Sequence, residues 1–111
     1  MEIAQHHHGA VAVIQPVGPL TQEDADELKS RMLEVRRSSL GRLVLDASTI
    51  PYVDSRGLEV LVEVAEELAQ GGQALKICGA NEVFREVLEL TELTSVFEHF
   101  VDVNSAVRSF L

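Results

Sequence analysis

A chain of 111 residues, 46% of them hydrophobic, holds enough apolar material for one core and is too short for two domains. Eighteen acidic against nine basic residues leave a net charge of -9, and no cluster of Lys and Arg exceeds the pair Arg36-Arg37. Nucleic acid and anionic lipid are therefore poor candidate partners, because both require concentrated positive charge. No apolar run reaches the roughly 18 residues of a membrane span, so no direct membrane insertion is expected. The opening residues lack the basic segment and continuous apolar stretch of a secretory signal. The single cysteine, Cys78, cannot close an internal disulfide, so a reducing, cytoplasmic setting is the expectation.

Strands and helices alternate along the chain. Residues 2–7 and 11–17 are short strand-like runs separated by "HGA", which suggests an N-terminal hairpin. Pro16 has no N–H and belongs at a strand end or where no ladder partner is needed. Thr21, with Asp24 three residues on, has the spacing of a capping box and opens a helix. Ala25, Leu28, Met32 and Val35 share one face of it, Glu23, Asp26, Glu27 and Lys29 take the other, and "SSLG" stops it. "RLVLD", residues 42–46, is a continuous apolar run of strand length and is expected to be buried on both faces.

Leu58, Leu61, Val62, Ala65, Leu68 and Ala69 recur at helical spacing in the clearest helix of the sequence, ended by Gly71-Gly72. "ALKIC", residues 74–78, is the next strand, and within it Cys78 reads as a small buried hydrophobe. Asn81 can cap a further helix with Val83, Phe84, Val87 and Leu88 as its stripe, running out near "LTELTSVF". A last strand near "HFVDV", residues 99–103, leads through Asn104 or Ser105 into a short helix carrying Ala106, Val107, Phe110 and Leu111. Strands separated by helices imply right-handed crossovers and an α/β fold with a mainly parallel sheet.

The stretch "IPYVDSRGLEVL", residues 50–61, joins the carboxyl end of the "RLVLD" strand to the strongest helix. In open α/β sheets such loops form the working edge. Either Asp54 or Ser55 can cap the helix, whose first-turn N–H groups favour an anion. Asp54 supplies a permanent charge there. A phosphate on Ser55 would supply a reversible one, about 1.5 to 2 negative charges. Gly57, without a side chain, would allow another backbone or a phosphate to come close. From these residues alone, a capped helix is the expected reading.

If the segment holding His6, His7 and His8 is extended, His6 and His8 share a face. They lack the acidic or cysteine companions and the spacing of a structural zinc site, so solvated histidines at a strand edge are expected rather than a metal. His99 is remote from them in sequence. Asp46 ends its strand and is expected to cap the following loop. No nucleophile elbow, P-loop or zinc-protease motif is present, and Ser55 has no base visible in the sequence. Neither enzymatic activity nor a cofactor is expected.

The order of elements, together with "LVLDASTIPYVDSRGLEVLVEVAEEL", resembles the STAS domain family, specifically its small stand-alone bacterial members, the anti-sigma factor antagonists. The similarity extends over "VAVIQPVGPLT", "ALKICGANEVFREVLELTEL" and "VFEHFVDVNSAVRSF", nearly the whole chain. It implies one STAS domain over residues 1–111, with a four- to five-stranded, mostly parallel sheet, an N-terminal hairpin and about four covering helices. Asp54, Ser55, Gly57 and Leu58 match the family's Asp-Ser-x-Gly-Leu loop. By that resemblance Ser55 is the acceptor for an anti-sigma factor that is also a serine kinase, and a PP2C-type phosphatase reverses the modification. Asp54, Ser55, Arg56, Gly57 and Leu58 form the partner-binding segment, in which Asp54 presents the serine or meets the partner's catalytic apparatus.

Many family members carry a second serine or another small residue where this chain has Arg56. An arginine there can pair with the phosphate or with an acid of a particular kinase, exclude the usual partner, or remain solvated. The resemblance implies a phosphorylation-switched module that sequesters an anti-sigma kinase and so frees a sigma factor without touching DNA. The alternative it leaves is a constitutive subunit of an ABC-type lipid transporter or another signalling complex.

Overall fold

The computed structural model describes all 111 residues. The elements are β1 (Glu2–His8), β2 (Val11–Val17), α1 (Gln22–Ser39), β3 (Leu43–Asp46), α2 (Ser55–Gln70), β4 (Lys76–Cys78), α3 (Glu82–Leu90), a 3-10 turn (Thr94–Val96), β5 (Glu98–Phe100) and α4 (Val103–Arg108). One five-stranded sheet runs in the order β1-β2-β3-β4-β5. The β1–β2 hairpin is antiparallel and every other pair is parallel. No helix is long and apolar enough to cross a membrane.

Each crossover steps to the adjacent strand in the same direction, so crossovers of one hand place α1, α2 and α3 on one face of the sheet. The main core lies there: Ala12, Ile14, Leu43, Leu45 and Ile77 of the sheet meet Leu28 and Met32 of α1, Leu61 and Leu68 of α2, and Phe84 and Leu88 of α3. Ala106 of α4 covers Val11, Val13, Val44 and Cys78 on the opposite face, with Phe100, Val103, Val107 and Phe110 packed alongside. A strand with helices on both faces has no polar side to show, which is why "LVL" in β3 is apolar without alternation. Burial, with the Asp46 and Asp102 carboxylates adding to it, pushes the Cys78 thiol up to about 12. The thiol therefore stays protonated.

Several boundaries differ from the sequence reading. In α2, Val60 and Val64 are fully buried along with Leu61, whereas Val62 is half-buried and Ala69 exposed. This helix is central, with the sheet beneath it and α1 beside it, so the buried surface is broader and rotated from a single stripe. Val83 of α3, expected to face inward, is 51% exposed. That helix has only nine residues and lies over the far end of the sheet, where Phe84 and Leu88 alone are fully buried.

The last strand ends at Phe100 instead of continuing to residue 103, and α4 is capped by Asp102, not by Asn104 or Ser105. The Asp102 carboxylate accepts the Ser105 N–H at 2.8 Å, a stronger cap than either neighbour offers because its oxygen is charged. Lys76, in a run read as apolar, is only 7% exposed. Its ammonium lies 3.9 Å from the centre of the Phe110 ring, donates to Ser109 Oγ at 2.6 Å and is 3.5 Å from Glu98. The lysine stem is buried under α4 while its head holds that helix to β4 and β5.

Pro16 lies past the last β2–β3 pair, Ile14↔Leu45, where no N–H toward β3 is required. Leu61, fully buried in the main core, provides the test of this packing. Leu61→Ala is expected to lower the unfolding free energy by roughly 2 to 5 kcal/mol, as large-to-small core changes do. A denaturant midpoint equal to that of the unaltered protein would contradict the packing described here.

Candidate functional site

The loop after β3 is built to bring two helix starts together. Asp46 Oδ1 accepts the Ser48 N–H at 3.0 Å, which turns the chain as it leaves the strand. Asn81 then donates from Nδ2 to the Pro51 carbonyl at 3.1 Å. Leu20 and Val53 form an isolated parallel bridge, in which Leu20 N–H donates to the Tyr52 carbonyl at 3.0 Å and Asp54 N–H to the Leu20 carbonyl at 3.1 Å. The segments that open α1 and α2 are thereby fixed side by side.

The Asp54 carboxylate completes the junction. Oδ1 accepts the Gly57 N–H of its own helix at 2.8 Å, and Oδ2 accepts the Gln22 N–H of α1 at 2.8 Å. Thr21 occupies the cap position of α1 but makes no side-chain cap bond; the cap comes from Asp54 instead. One carboxylate thus satisfies orphan amides at two helix N-termini, where both dipoles favour negative charge. The Gly57 N–H first, and the Gln22 N–H with it, hold the carboxyl below its usual range.

Gly57 has a role within its own chain that the sequence did not reveal. A Cβ at this position would stand 2.5 Å from the Leu20 carbonyl oxygen and 2.6 Å from Val53 Cγ2. The glycine thus permits a close approach to its own chain, against the Leu20–Val53 bridge. Leu58 is buried as well, at 8% exposure. Of the five residues in the segment, Ser55 is exposed, Asp54 and Arg56 are half-buried, and Gly57 and Leu58 face inward. Ser55 is the first residue of α2, so its hydroxyl stands at the rim of the helix start.

Arg56 is held by carboxylates of its own chain. Its guanidinium donates to Asp26 of α1 at 2.5 Å, to Glu59 at 2.6 Å and to Glu63 at 3.1 Å. Glu63 also accepts from Lys29 of α1 at 2.6 Å. The bond to Asp26 foremost raises the Arg56 pKa above its ordinary value, and the Lys29 bond foremost lowers that of Glu63. The result is an ion-pair network of five side chains across α1 and α2, anchored one residue after Ser55. The spacing of Arg56, Glu59 and Glu63 along α2 was readable in the sequence; Asp26 and Lys29 were not placed beside them until α1 and α2 were packed.

The histidines do not gather. His6 and His8 pair with Val13 and Val11 on the α4 face of the sheet, while His7 pairs with Ala12 on the other. His99 lies on β5, at the far edge of the sheet. No group of three or more His, Cys, Asp or Glu side chains is arranged to hold a metal ion. Tyr52, 50% exposed beside this loop, is a surface feature that sequence reasoning passed over.

Gly57→Ala is expected to destabilise the fold by roughly 1 to 3 kcal/mol through overpacking, read from the denaturant midpoint; an unaltered midpoint would contradict the contact with Leu20 and Val53. The Asp54, Glu63 and Asp102 carboxyls are all depressed in the folded chain. Their stabilisation is complete above the unfolded carboxyl values of about 3.9 to 4.3 and is lost as pH falls through the lower folded values. Thermal midpoints should therefore fall below about pH 4, and Asp54→Asn should flatten that decline. A decline equally steep in the variant would show that Asp54 does not carry it.

The family model described as "STAS domain" matches residues 2–106. The anti-sigma F factor antagonist of Paenibacillus polymyxa is 24% identical over 97 residues, covering 86% of this chain and 83% of that protein. A crystal structure from Thermotoga maritima, described as that of a "putative anti-sigma factor antagonist", superposes with a TM-score of 0.89 at 20% identity over 96% of this chain and 92% of that one. The Bacillus cell fate determinant SpoIIAA in its phosphorylated form superposes with a TM-score of 0.72 at 12% identity over 97% and 99% of the two chains. The family model covers nearly the whole chain, and the five-stranded sheet, its hairpin and its four helices agree with it: the chain belongs to the STAS domain family.

Proposed function

We propose that this chain is an anti-sigma factor antagonist whose binding is switched by phosphorylation of Ser55. The observation that carries the reading is the exposure of Ser55 at the start of α2 while its neighbours on both sides are held by the chain itself. Asp54 has both oxygens on backbone amides and serves to hold the serine in place; it is not free to act as a base. The segment accordingly offers a hydroxyl for another protein's chemistry, and the chain acts as a binding module rather than an enzyme. A constitutive subunit has no need of an exposed hydroxyl at this helix start, which favours the switched reading over the transporter one.

The partner is an anti-sigma factor of the serine-kinase type, met in the cytoplasm. Transfer forms the bond from Ser55 Oγ to the γ-phosphorus of ATP, breaks the bond to ADP and passes the hydroxyl proton to a base of the kinase. A PP2C-type phosphatase returns the hydroxyl by hydrolysis. Ser55 is the partner-facing centre of the segment, flanked by Asp54 and Arg56, while Gly57 and Leu58 support it from beneath. About two added negative charges would meet a surface fitted to a neutral hydroxyl, and like charges opposed at an interface cost several kcal/mol.

Calorimetric titration of the partner kinase tests this. The unmodified protein and Ser55→Ala should bind equally, Ser55→Asp more weakly, and the enzymatically phosphorylated protein at least about tenfold more weakly than the unmodified one. Circular dichroism should show all four folded. Equal affinity of phosphorylated and unmodified protein would reduce Ser55 to a surface residue of a helix start.

A further inference from the structure

Strand β1 forms one edge of the sheet, so its outward row of backbone N–H and C=O groups has no strand beside it. Native edge strands are usually blunted by shortness, Lys, Pro or a bulge. None of these occurs in β1. Its seven residues, EIAQHHH, pair with β2 in unbroken register from Glu2↔Val17 to His8↔Val11, and Gln5 through His8 are exposed. The strand is therefore regular, without a bulge, and has no strand along its outer side.

The sequence of this edge is complementary to itself in one direction. Its single acid, Glu2, stands at the start and its three histidines at the end. Parallel pairing of two copies would set histidine against histidine. Antiparallel pairing about Gln5 sets Glu2 of each copy opposite His8 of the other, Ile3 opposite His7, Ala4 opposite His6, and the two Gln5 amides against one another. This register uses all seven residues and keeps outward-facing groups opposite outward-facing groups; a shift by two residues shortens the ladder. β1 carries one acid of the chain's eighteen, so pairing here brings few carboxylates together although each copy has a net charge of -9.

We propose that β1 is a self-association edge: two copies join antiparallel through β1 about a two-fold axis at Gln5, extending each five-stranded sheet into a continuous sheet of ten strands. Glu2 and His8 form the polar pairs that choose this register, one at each end of the new ladder. Ser55 follows β3, two strands in from this edge, so the association does not depend on the phosphorylation reading.

Sedimentation equilibrium of the full chain over a wide concentration range tests the edge. Expected is a monomer–dimer equilibrium. Gln5→Lys sets two lysines face to face, and His8→Glu sets Glu2 against a like charge in both symmetric pairs; each should weaken the dimer by about tenfold or more. Glu2→Lys combined with His8→Glu sets opposite charges across both pairs and should recover the dimer. Circular dichroism of each variant separates lost association from lost folding. Monomers at every concentration, a dimer indifferent to these variants, or failure of the double variant to recover would each overturn the proposal. An edge that stays monomeric yet takes up an extended segment of another protein would overturn it equally.

Discussion

A single carboxylate bound to two backbone amides holds the working end of this fold together. Asp54 accepts from Gly57 of its own helix and from Gln22 of α1, both at 2.8 Å. Without it, two helix N-termini would point unsatisfied amides at the same small volume. With it, their positive ends share one negative charge. The Leu20–Val53 bridge sets the distance at which this is possible, and Gly57 is the residue type that lets α2 lie against that bridge.

The consequences divide the Asp-Ser-x-Gly-Leu segment into inward and outward parts. Asp54, Gly57 and Leu58 are committed to the chain's own junction and core. Arg56 adds a second tie between the helices through Asp26 and Glu63. The exposed ion pairs contribute less than their number suggests, since solvent screens them, but together they keep the guanidinium on the α1 side. Ser55 alone is left with its side chain toward solvent. A change there can alter the exposed surface without disturbing the bonds that hold the helices, which is what the proposed switch requires.

How much of this was legible in the sequence follows from how local each determinant is. The helical spacing in α2, the apolar run of β3 and the Gly71-Gly72 stop are local patterns, and each element appeared where it was expected. The cap of α4 was missed because Asp102 had been assigned to the preceding strand, and the burial of Val60 and Val64 because a central helix is covered on two sides. Asp54 was legible as a cap for its own helix but not for α1, since Gln22 is 32 residues away. The same distance hid the true neighbour of Gly57: its lack of a side chain was plain, and only the fold shows that Leu20 fills the space.

The shared carboxylate is tested most directly by following the backbone amide protons of Gln22 and Gly57 by NMR as pH is lowered, in the unmodified and in the Ser55-phosphorylated protein. The expected result is that both amides shift together, with one common midpoint below the ordinary carboxyl range, and that both remain protected from hydrogen exchange after phosphorylation. A Gln22 amide that ignores the titration of Asp54, or loss of protection at either amide when Ser55 is phosphorylated, would contradict a junction that holds the helices independently of the state of Ser55.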